Sequence, residues 1–365
     1  MQKKRVLSPL FSRAKKGHIL WGLIFLLALV SFYMPDAVNK GLILCLESIV
    51  PAVFPFVLIS SLISIGGLGK SIGRMFHPFL RPIFKCTESA ASAIALGFLC
   101  GYPIGASVAA EAYDKGEISG DELENILCFI NNPSPSFVIG YVGSSLLGQR
   151  RRGIIIYLSV ITSALLVGVA LRVFRKKTYP SVSSSRSEFS YPISQLSSII
   201  TEAIVRSGGA MINICACIVT FFSLSSTICA LLPDLPEIFK AFICGALEIS
   251  SGVKAASELE KSAVSPIVCS AICAFSGISV HMQIFSACRG RNVRFIKFVI
   301  SKAIQSVIAP ILTYLIMHLP VSVDFPVMAY RPDLIRIIRA SLFFFIITLT
   351  VIAIRSGSET KSRTK

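Results

Sequence analysis

Charged residues are scarce in this chain. Asp, Glu, Lys and Arg make up 15% of its 365 residues, whereas soluble globular domains carry about 25%. Hydrophobic residues reach 53% instead, and the mean hydropathy is +0.73. This balance excludes an ordinary soluble domain and indicates a polytopic membrane protein.

Recognisable catalytic motifs are also lacking. The sequence contains no HExxH motif, no complete Walker motif and no glycine-rich dinucleotide loop. Only four His are available to act as bases. We therefore expect no catalytic residues and no enzyme activity, and we keep an intramembrane enzyme as the weaker hypothesis.

Metal and disulfide sites are not indicated, although the chain has 11 Cys. Most of them lie inside apolar stretches, where a buried Cys behaves as a small hydrophobe. The closest pair, Cys215 and Cys217, has no His nearby. We expect no metal site and no cofactor.

The net charge of +17 raises the question of nucleic acid. The basic residues, however, cluster in the tails and in short loops between apolar runs, and no nucleic-acid-binding motif accompanies them. The positive-inside rule and anionic lipid headgroups explain such a distribution. Membrane lipid, and not nucleic acid, is therefore the predicted partner of these charges.

Long apolar runs dominate the sequence. A helix needs about 20 mostly apolar residues to cross a bilayer. The basic N-terminal tail precedes the first such run without a small-residue cleavage site, so we predict a retained span there. The predicted spans are 18–34, 41–66, 124–148, 153–174, 207–232, 263–288, 304–319 and 338–354.

Two further apolar stretches, 88–114 and 239–259, are interrupted near their middles by GYPIG and EISSG. Each half is too short to cross a bilayer, which favours re-entrant hairpins. The predicted fold is therefore all-α, with about eight transmembrane helices plus two re-entrant helical hairpins.

The basic loops orient this fold. Placing the N-terminal tail in the cytoplasm also places the basic residues of 70–85, 175–177 and 289–297 there. Arg150, Arg151 and Arg152 then fall outside, and we treat them as a local exception.

The order of elements predicts two inverted repeats. A helix, an interrupted hairpin and a broken helix around NNPSPS follow one another in the first half, and a similar order begins at residue 201. Under the predicted topology the first repeat enters from outside and the second from inside. Inverted repeats typically enclose a site at the bilayer midplane, built from discontinuous helices.

Four polar segments occur at corresponding depth: GYPIGAS (101–107), NNPSPS (131–136), EISSG (248–252) and SGISVHMQ (276–283). One interpretation is a binding site in which half-helix amide ends attract negative charge. The alternative is that Pro kinks the helices and Ser bonds back to the preceding turn. We favour the binding site because polar clusters within a membrane are costly unless they are used. Its candidate side chains are Asn131, Asn132, Ser134, Ser136, Ser250, Ser251, Ser276, Ser279 and Gln283.

Glu248 is the most informative single residue. A carboxylate at a hairpin tip in the membrane suits a coupling cation, a proton or a substrate donor. The alternative is a Glu that caps the helix restarting after it. The coupling ion, Na⁺ or H⁺, is left open.

Several motifs resemble a known family. GFLCGYPIGA and NNPSPSFVIG are similar to the nucleoside-recognition, or Gate, domain family. With PAVFPFVLISSLI (51–63) and SGISVHMQ, residues 40–350 resemble the YlbJ family of sporulation integral membrane proteins, also called stage V sporulation protein SpoVV. The resemblance implies substrate contacts at Tyr102, Asn131, Asn132, Glu248 and Ser251.

The composition, the repeat order and the resemblance together predict a domain plan. Residues 1–39 form a basic cytosolic tail and the first transmembrane helix, and 40–174 the first Gate-like repeat. A Ser-rich basic linker follows at 175–193, then the second, inverted Gate-like repeat at 194–355 and a polar C-terminal tail at 356–365.

In function, the resemblance implies a transporter-like protein of the bacterial cell membrane that moves dipicolinate or a similar small anion across the outer forespore membrane. The alternatives are a nucleoside or other small-solute transporter, and a non-transporting membrane scaffold for spore assembly. The expected partners are the small anion and membrane lipid, and a homo-oligomer is left open.

Overall fold

The computed structural model describes residues 35–173, 196–259 and 264–319, together with Ala28. Every regular element in these residues is helical, which confirms the all-α prediction. The predicted spans 18–34 and 338–354, the linker 175–193 and the C-terminal tail lie outside the described residues.

The described residues form thirteen α-helices and two π-helical segments. The short π-helix, Cys45–Ile49, joins α1 to α2, and the long π-helix, Ser136–Leu146, follows α6. The α-helices are α1 Pro35–Leu44, α2 Val50–Ile65, α3 Gly69–Phe84, α4 Glu88–Cys100, α5 Ile104–Asp114, α6 Gly120–Ile130, α7 Arg150–Val173, α8 Leu196–Leu231, α9 Glu237–Leu247, α10 Ile249–Glu258, α11 Val264–Phe275, α12 Gly277–Ala287 and α13 Phe295–His318.

Four helical segments are long and apolar enough to cross a membrane: α7, α8, the α11–α12 segment and α13. Two bent helix pairs raise the number to six if each pair is one span. One is bent by 61° within 36–65, and the other by 94° between α3 and α4. These helices define an integral membrane protein, although the predicted count of eight spans is not confirmed.

Two helices are longer than predicted. α8 begins at Leu196 and α13 at Phe295, ahead of the predicted starts at 207 and 304. The predicted window did not include Lys297 or Lys302, which belong to α13 in the structure. The structure accommodates both, because Lys297 pairs with Glu124 at 3.1 Å and Lys302 bonds to buried oxygens.

The same order of elements occurs in both halves. The first half has the bent α1–α2 segment, a hairpin (α4–α5), a broken helix (α6 and the long π-helix) and α7. The second half has α8, a hairpin (α9–α10), a broken helix (α11–α12) and α13. The halves also pack reciprocally, since α6 packs against α13 and α11 against α7. Only α3 has no counterpart among the described helices.

The two hairpins start from opposite ends of α8. Near its start, Arg206 pairs with Glu111 of the first hairpin at 3.3 Å. Near its end, Cys229 Sγ lies 4.0 Å from the carbonyl oxygen of Lys240, close to the start of the second hairpin. A helix rises 1.5 Å per residue, so these contacts are about 35 Å apart, close to the thickness of a bilayer core. Opposite entry of this kind is what the predicted inverted repeats require.

Glycine allows the arms of each hairpin to touch. A Cβ atom on Gly97 would lie 3.3 Å from Cα of Gly105, and one on Gly252 would lie 2.1 Å from Cα of Gly245. The arms therefore meet backbone to backbone, as small residues permit in membrane helices.

Candidate functional site

In the first half, the hairpin tip contacts the break in the broken helix. The Tyr102 amide donates to the carbonyl oxygen of Asn132 at 3.0 Å. Gly101 has a φ of +80°, and a Cβ atom there would lie 2.8 Å from the Ser134 amide nitrogen. Position 101 therefore needs glycine both for its conformation and for this approach.

The second half repeats this arrangement. The hairpin turns at Glu248, and the broken helix is interrupted at Ser276. Gly277 has a φ of +74°, and its Cβ position would lie 3.0 Å from the Gly245 carbonyl oxygen and 3.2 Å from the Ile249 amide. A hairpin tip therefore packs against a helix break in each half.

The four interruptions surround a central cavity of about 30 Å³. Its polar lining comes from both halves, and all of it belongs to predicted site residues: Tyr102, Ser134, Glu248, Ser250 and Gln283. The remaining lining is Cys100, Phe137, Ile49, Val53, Ile214, Ile218, Ile249 and Val280. The structure thus brings five of the eleven predicted residues together in one place.

The other six predicted residues do not line this cavity. Asn131 and Asn132 are buried at the break itself, where their side-chain amides donate to the carbonyls of Leu127 and Phe129. Ser136 is partly exposed. The remaining three, Ser251, Ser276 and Ser279, are buried in the second half.

Glu248 both caps a helix and faces the cavity. It is fully buried, and its Oε2 accepts a 2.7 Å hydrogen bond from the Ser251 amide. This is the capping role that the sequence left as an alternative. Its second oxygen, Oε1, has no hydrogen-bond partner among the described residues. The cap accounts for one oxygen only.

Further buried polar atoms near the interruptions have no partner within the described part of the chain. Buried polar groups are normally hydrogen-bonded, so each exception calls for an explanation. Atoms lining a cavity remain able to bond to a solute or to water. The unpartnered atoms of predicted site residues are Asn131 Oδ1, Glu248 Oε1, Ser250 Oγ, Ser279 Oγ and Gln283 Oε1.

At the interruptions, side chains bond to the carbonyl ends of α6 and α11 but not to the amide ends of α5 and α12. The carbonyls that end α6 and α11 are bonded by side chains: Asn131 O by Lys302, and Phe275 O by His281 at 2.9 Å. The residues that precede α5 and α12, Pro103 and Ser276, give no side-chain cap to the amides. Partial positive charge is therefore left available at the starts of α5 and α12, whereas Glu248 caps α10 and Ser134 Oγ accepts a hydrogen bond from the Phe137 amide at 3.3 Å.

Lys302 and Gln305 were missed in the sequence. Both are fully buried on α13, and Gln305 Nε2 donates to the Cys128 carbonyl at 2.7 Å. The signal was a lysine and a glutamine three residues apart beside an apolar run. Because the predicted span began at 304, Lys302 lay outside it.

Two more cavities lie in series beside the central one, toward one end of the bundle. A cavity of about 80 Å³ shares Ile214 with the central one, and a larger cavity of about 270 Å³ shares Ser64, Val108 and Glu111 with the second. Serines are frequent along this series of cavities, which we call the serine route. They are Ser60, Ser61, Ser64, Ser89, Ser92 and Ser107.

Ion pairs surround the outer end of the serine route. Glu111 pairs with Arg206 at 3.3 Å and with Lys115 at 2.7 Å. Asp114 contacts Arg291 through two hydrogen bonds, one of them 2.9 Å from Nε to Oδ1. The hydrogen bonds from Arg291 lower the pKa of the Asp114 carboxyl below its ordinary value. This end carries the basic loops that the sequence predicts to be cytoplasmic.

One short motif in this region has no catalytic geometry. Gly69–Gly73 reads GKSIG, which matches the G-x-S-x-G pattern of a nucleophile elbow. That motif requires a turn between a strand and a helix, whereas these residues form the first turns of α3, with Ser71 exposed. Among the described residues, no group of three or more His, Cys, Asp or Glu could hold a metal ion.

Helices long enough to span a membrane, paired hairpins and broken helices around a polar cavity define a polytopic helical membrane protein. The chain is 26% identical over 315 residues to the sporulation integral membrane protein YlbJ of Bacillus subtilis (strain 168), covering 77% of each chain. This similarity supports the YlbJ family of sporulation integral membrane proteins, which the sequence motifs predicted. No family model matches, so the Gate-domain assignment stays a prediction. No solved structure matches either.

Proposed function

We propose that this protein is a solute carrier that moves dipicolinate, or a similar small anion, across the outer forespore membrane during spore formation. The central cavity carries the proposal. It lies where both halves are interrupted, and Glu248, Ser250 and Gln283 each present an unpartnered polar atom at it. A scaffold would have no use for such costly buried groups.

An anion suits the helix ends around the cavity. The carbonyl ends of α6 and α11 are already bonded by Lys302 and His281. The amide ends of α5 and α12 are free of side-chain caps. Amide ends of this kind bind carboxylates. A planar dicarboxylate could therefore be held without a reader for base or ribose, which a nucleoside carrier would need.

Binding of an anion beside Glu248 requires a positive charge that enters with it. A carboxylate solute in the cavity would lie beside this buried carboxyl, and two negative charges in a medium of low dielectric repel each other strongly. A proton shared with Glu248 Oε1 removes the repulsion. We therefore propose that solute and proton enter the cavity together.

The central cavity is too small to hold a solute in the described conformation. About 30 Å³ is the space of roughly one water molecule, whereas small-molecule sites are about 300–1,000 Å³. Solute entry must therefore separate the helices around the cavity. The serine route gives the direction from which the solute arrives or leaves, at the end that holds Glu111 and Arg206.

The test is uptake by proteoliposomes that contain the purified full-length chain. Labelled dipicolinate and labelled uridine are supplied separately, each with and without a proton gradient or a Na⁺ gradient. The proposal predicts dipicolinate uptake that increases with the proton gradient. Uptake of uridine alone would indicate the nucleoside alternative, and uptake of neither solute would favour the scaffold.

A further inference from the structure

Lys302 is a buried basic side chain that pairs with no carboxylate in the described residues. It is fully buried in α13, a helix long and apolar enough to span a membrane. None of the ion pairs in the described residues includes it, although the neighbouring Lys297 on the same helix pairs with Glu124 at 3.1 Å. An unpaired charge in such a place is costly and marks a functional position.

The partners of Lys302 are three neutral oxygens. Its Nζ donates to the Asn131 carbonyl at 2.9 Å, to Gln305 Oε1 at 3.1 Å and to Asn132 Oδ1 at 3.5 Å. Three acceptors match the three N–H bonds of an ammonium group. A carbonyl of unwound backbone and two amide oxygens are also ligands that a hard monovalent cation would accept.

The orientation of these oxygens is fixed by other bonds. Asn132 Nδ2 donates to the Phe129 carbonyl at 2.7 Å, and Gln305 Nε2 donates to the Cys128 carbonyl at 2.7 Å. With each nitrogen held at the last turn of α6, each oxygen must point toward Lys302 Nζ. The oxygen cluster is therefore built by the surrounding helices and does not depend on Lys302 for its orientation.

We propose that the ammonium group of Lys302 is a tethered cation, occupying a monovalent-cation site at the unwound end of α6. In carriers with discontinuous helices, unwound carbonyls and helix C-terminal ends coordinate the coupling Na⁺. Here the chain supplies that positive charge itself. The cation site is inferred from the contacts of Lys302 alone. If the protein is a carrier, as proposed above, the site also implies that solute movement does not require Na⁺.

The experiment compares the wild-type chain with Lys302→Ala, purified in full length in detergent. Thermal unfolding is followed as NaCl replaces N-methylglucamine chloride at constant ionic strength. We expect no saturable Na⁺ effect on the wild type. The variant loses the ammonium but keeps the oxygens, so saturating Na⁺ or methylammonium should raise its unfolding midpoint by about 5 °C.

Lys297→Ala is the matched control, because it removes a lysine of the same helix that is partly exposed and paired with Glu124. It should show no cation-specific shift. A saturable Na⁺ effect on the wild type would overturn the proposal, and so would a folded Lys302→Ala that responds to neither cation. The wild-type titration can still overturn the proposal if the variant does not fold.

Proteoliposome uptake then separates this proposal from the proposed function. If neither protein moves any solute, the carrier account fails while the unfolding data still decide the cation site. If the wild type moves dipicolinate equally in Na⁺ and in N-methylglucamine, Lys302→Ala should gain a dependence on Na⁺. Uptake by the wild type that requires Na⁺ would contradict the tethered cation.

Discussion

The hydroxyl groups of Ser207 and Ser61 are hydrogen-bonded at 3.0 Å, between helices α8 and α2 of opposite halves. Further along α8, Ser225 makes the equivalent contact with Ser251 of the second hairpin at 3.1 Å. A neutral hydrogen bond of this kind contributes only about 1 kcal/mol and exchanges readily with water. The Ser207–Ser61 contact thus joins the two halves, and the Ser225–Ser251 contact joins α8 to the hairpin of its own half, through bonds that can be broken when the cavities open.

Blocking the serine route should stop solute movement. Ser107 lines the middle cavity, and its hydroxyl only bonds back to the Pro103 carbonyl at 3.2 Å. Ser107→Phe should fill that cavity and lower dipicolinate uptake in proteoliposomes by at least about tenfold, while the protein remains monodisperse. The matched control is Ser306→Phe, which changes a serine that also bonds one turn back but lines none of the three cavities. Equal uptake by the two variants would show that the solute does not pass along the serine route.

Proton coupling should depend on Glu248. Glu248→Gln keeps an oxygen that can cap α10 through the Ser251 amide but removes the titrating carboxyl. We expect a folded protein whose uptake no longer responds to a proton gradient and falls at least about tenfold. Glu237→Gln is the control, because Glu237 is 72% exposed at the start of the same hairpin. If uptake by Glu248→Gln still follows the proton gradient, another group carries the proton.

The contact between the arms of the second hairpin should not tolerate a methyl group. In Gly252→Ala the new Cβ would meet backbone atoms of Gly245 at 2.1 and 2.5 Å, and overpacking of this kind costs about 1–3 kcal/mol. The unfolding midpoint should fall by several degrees. Gly208→Ala, a helical position with nothing within 4 Å of the new atom, should instead be neutral or slightly stabilising. A tolerated Gly252→Ala would contradict the close packing of the arms.

The contact between Asp114 and Arg291 predicts a definite pH dependence. The Asp114 pKa is lowered, first by hydrogen bonds from Arg291. A lowered carboxyl pKa stabilises the folded state above the unfolded value, near 3.8, and this contribution is lost as pH falls through the folded value.

Asp114→Asn should therefore lower the unfolding midpoint equally from pH 7 to about pH 5, and the difference should shrink as pH falls below about 4 and through the folded pKa, which lies below 3.8. Because the Asp114 side chain is 53% exposed, the effect should not exceed about 1 kcal/mol. Asp234→Asn, which alters an exposed loop, serves as the control and should change little at any pH. If the difference in unfolding midpoint between the wild type and Asp114→Asn grew as pH fell, the prediction would be wrong.

Much of the fold was readable from the sequence, because the bilayer restricts the choices. Spanning segments must be apolar and helical, so their positions follow from hydropathy. Interruptions by GYPIG and EISSG marked both hairpins, and the structure turns the chain at Tyr102–Pro103 and at Glu248. The break at Ser276 was less visible, since no proline marks it. It depends on a left-handed φ of 74° at Ser276, followed by Gly277.

The site was predictable only in part. Polar residues at the interruptions were found, but which of them line the cavity depends on packing between distant helices. Asn131 and Asn132 looked equivalent to Ser134, yet the structure turns them toward carbonyls of α6 and toward Lys302. Lys302 lies 170 residues from Asn132, and a single sequence carries no signal that joins the two.

The most direct test of the central cavity as a solute site is counterflow of labelled dipicolinate in proteoliposomes, comparing the wild type with Gln283→Ala and Ser250→Ala. Both variants remove from the cavity lining an oxygen that has no hydrogen-bond partner in the described geometry. The account predicts that the wild type accumulates label, while both folded variants accumulate at least about tenfold less. Counterflow by the variants equal to that of the wild type, or a wild type that accumulates nothing, would contradict it.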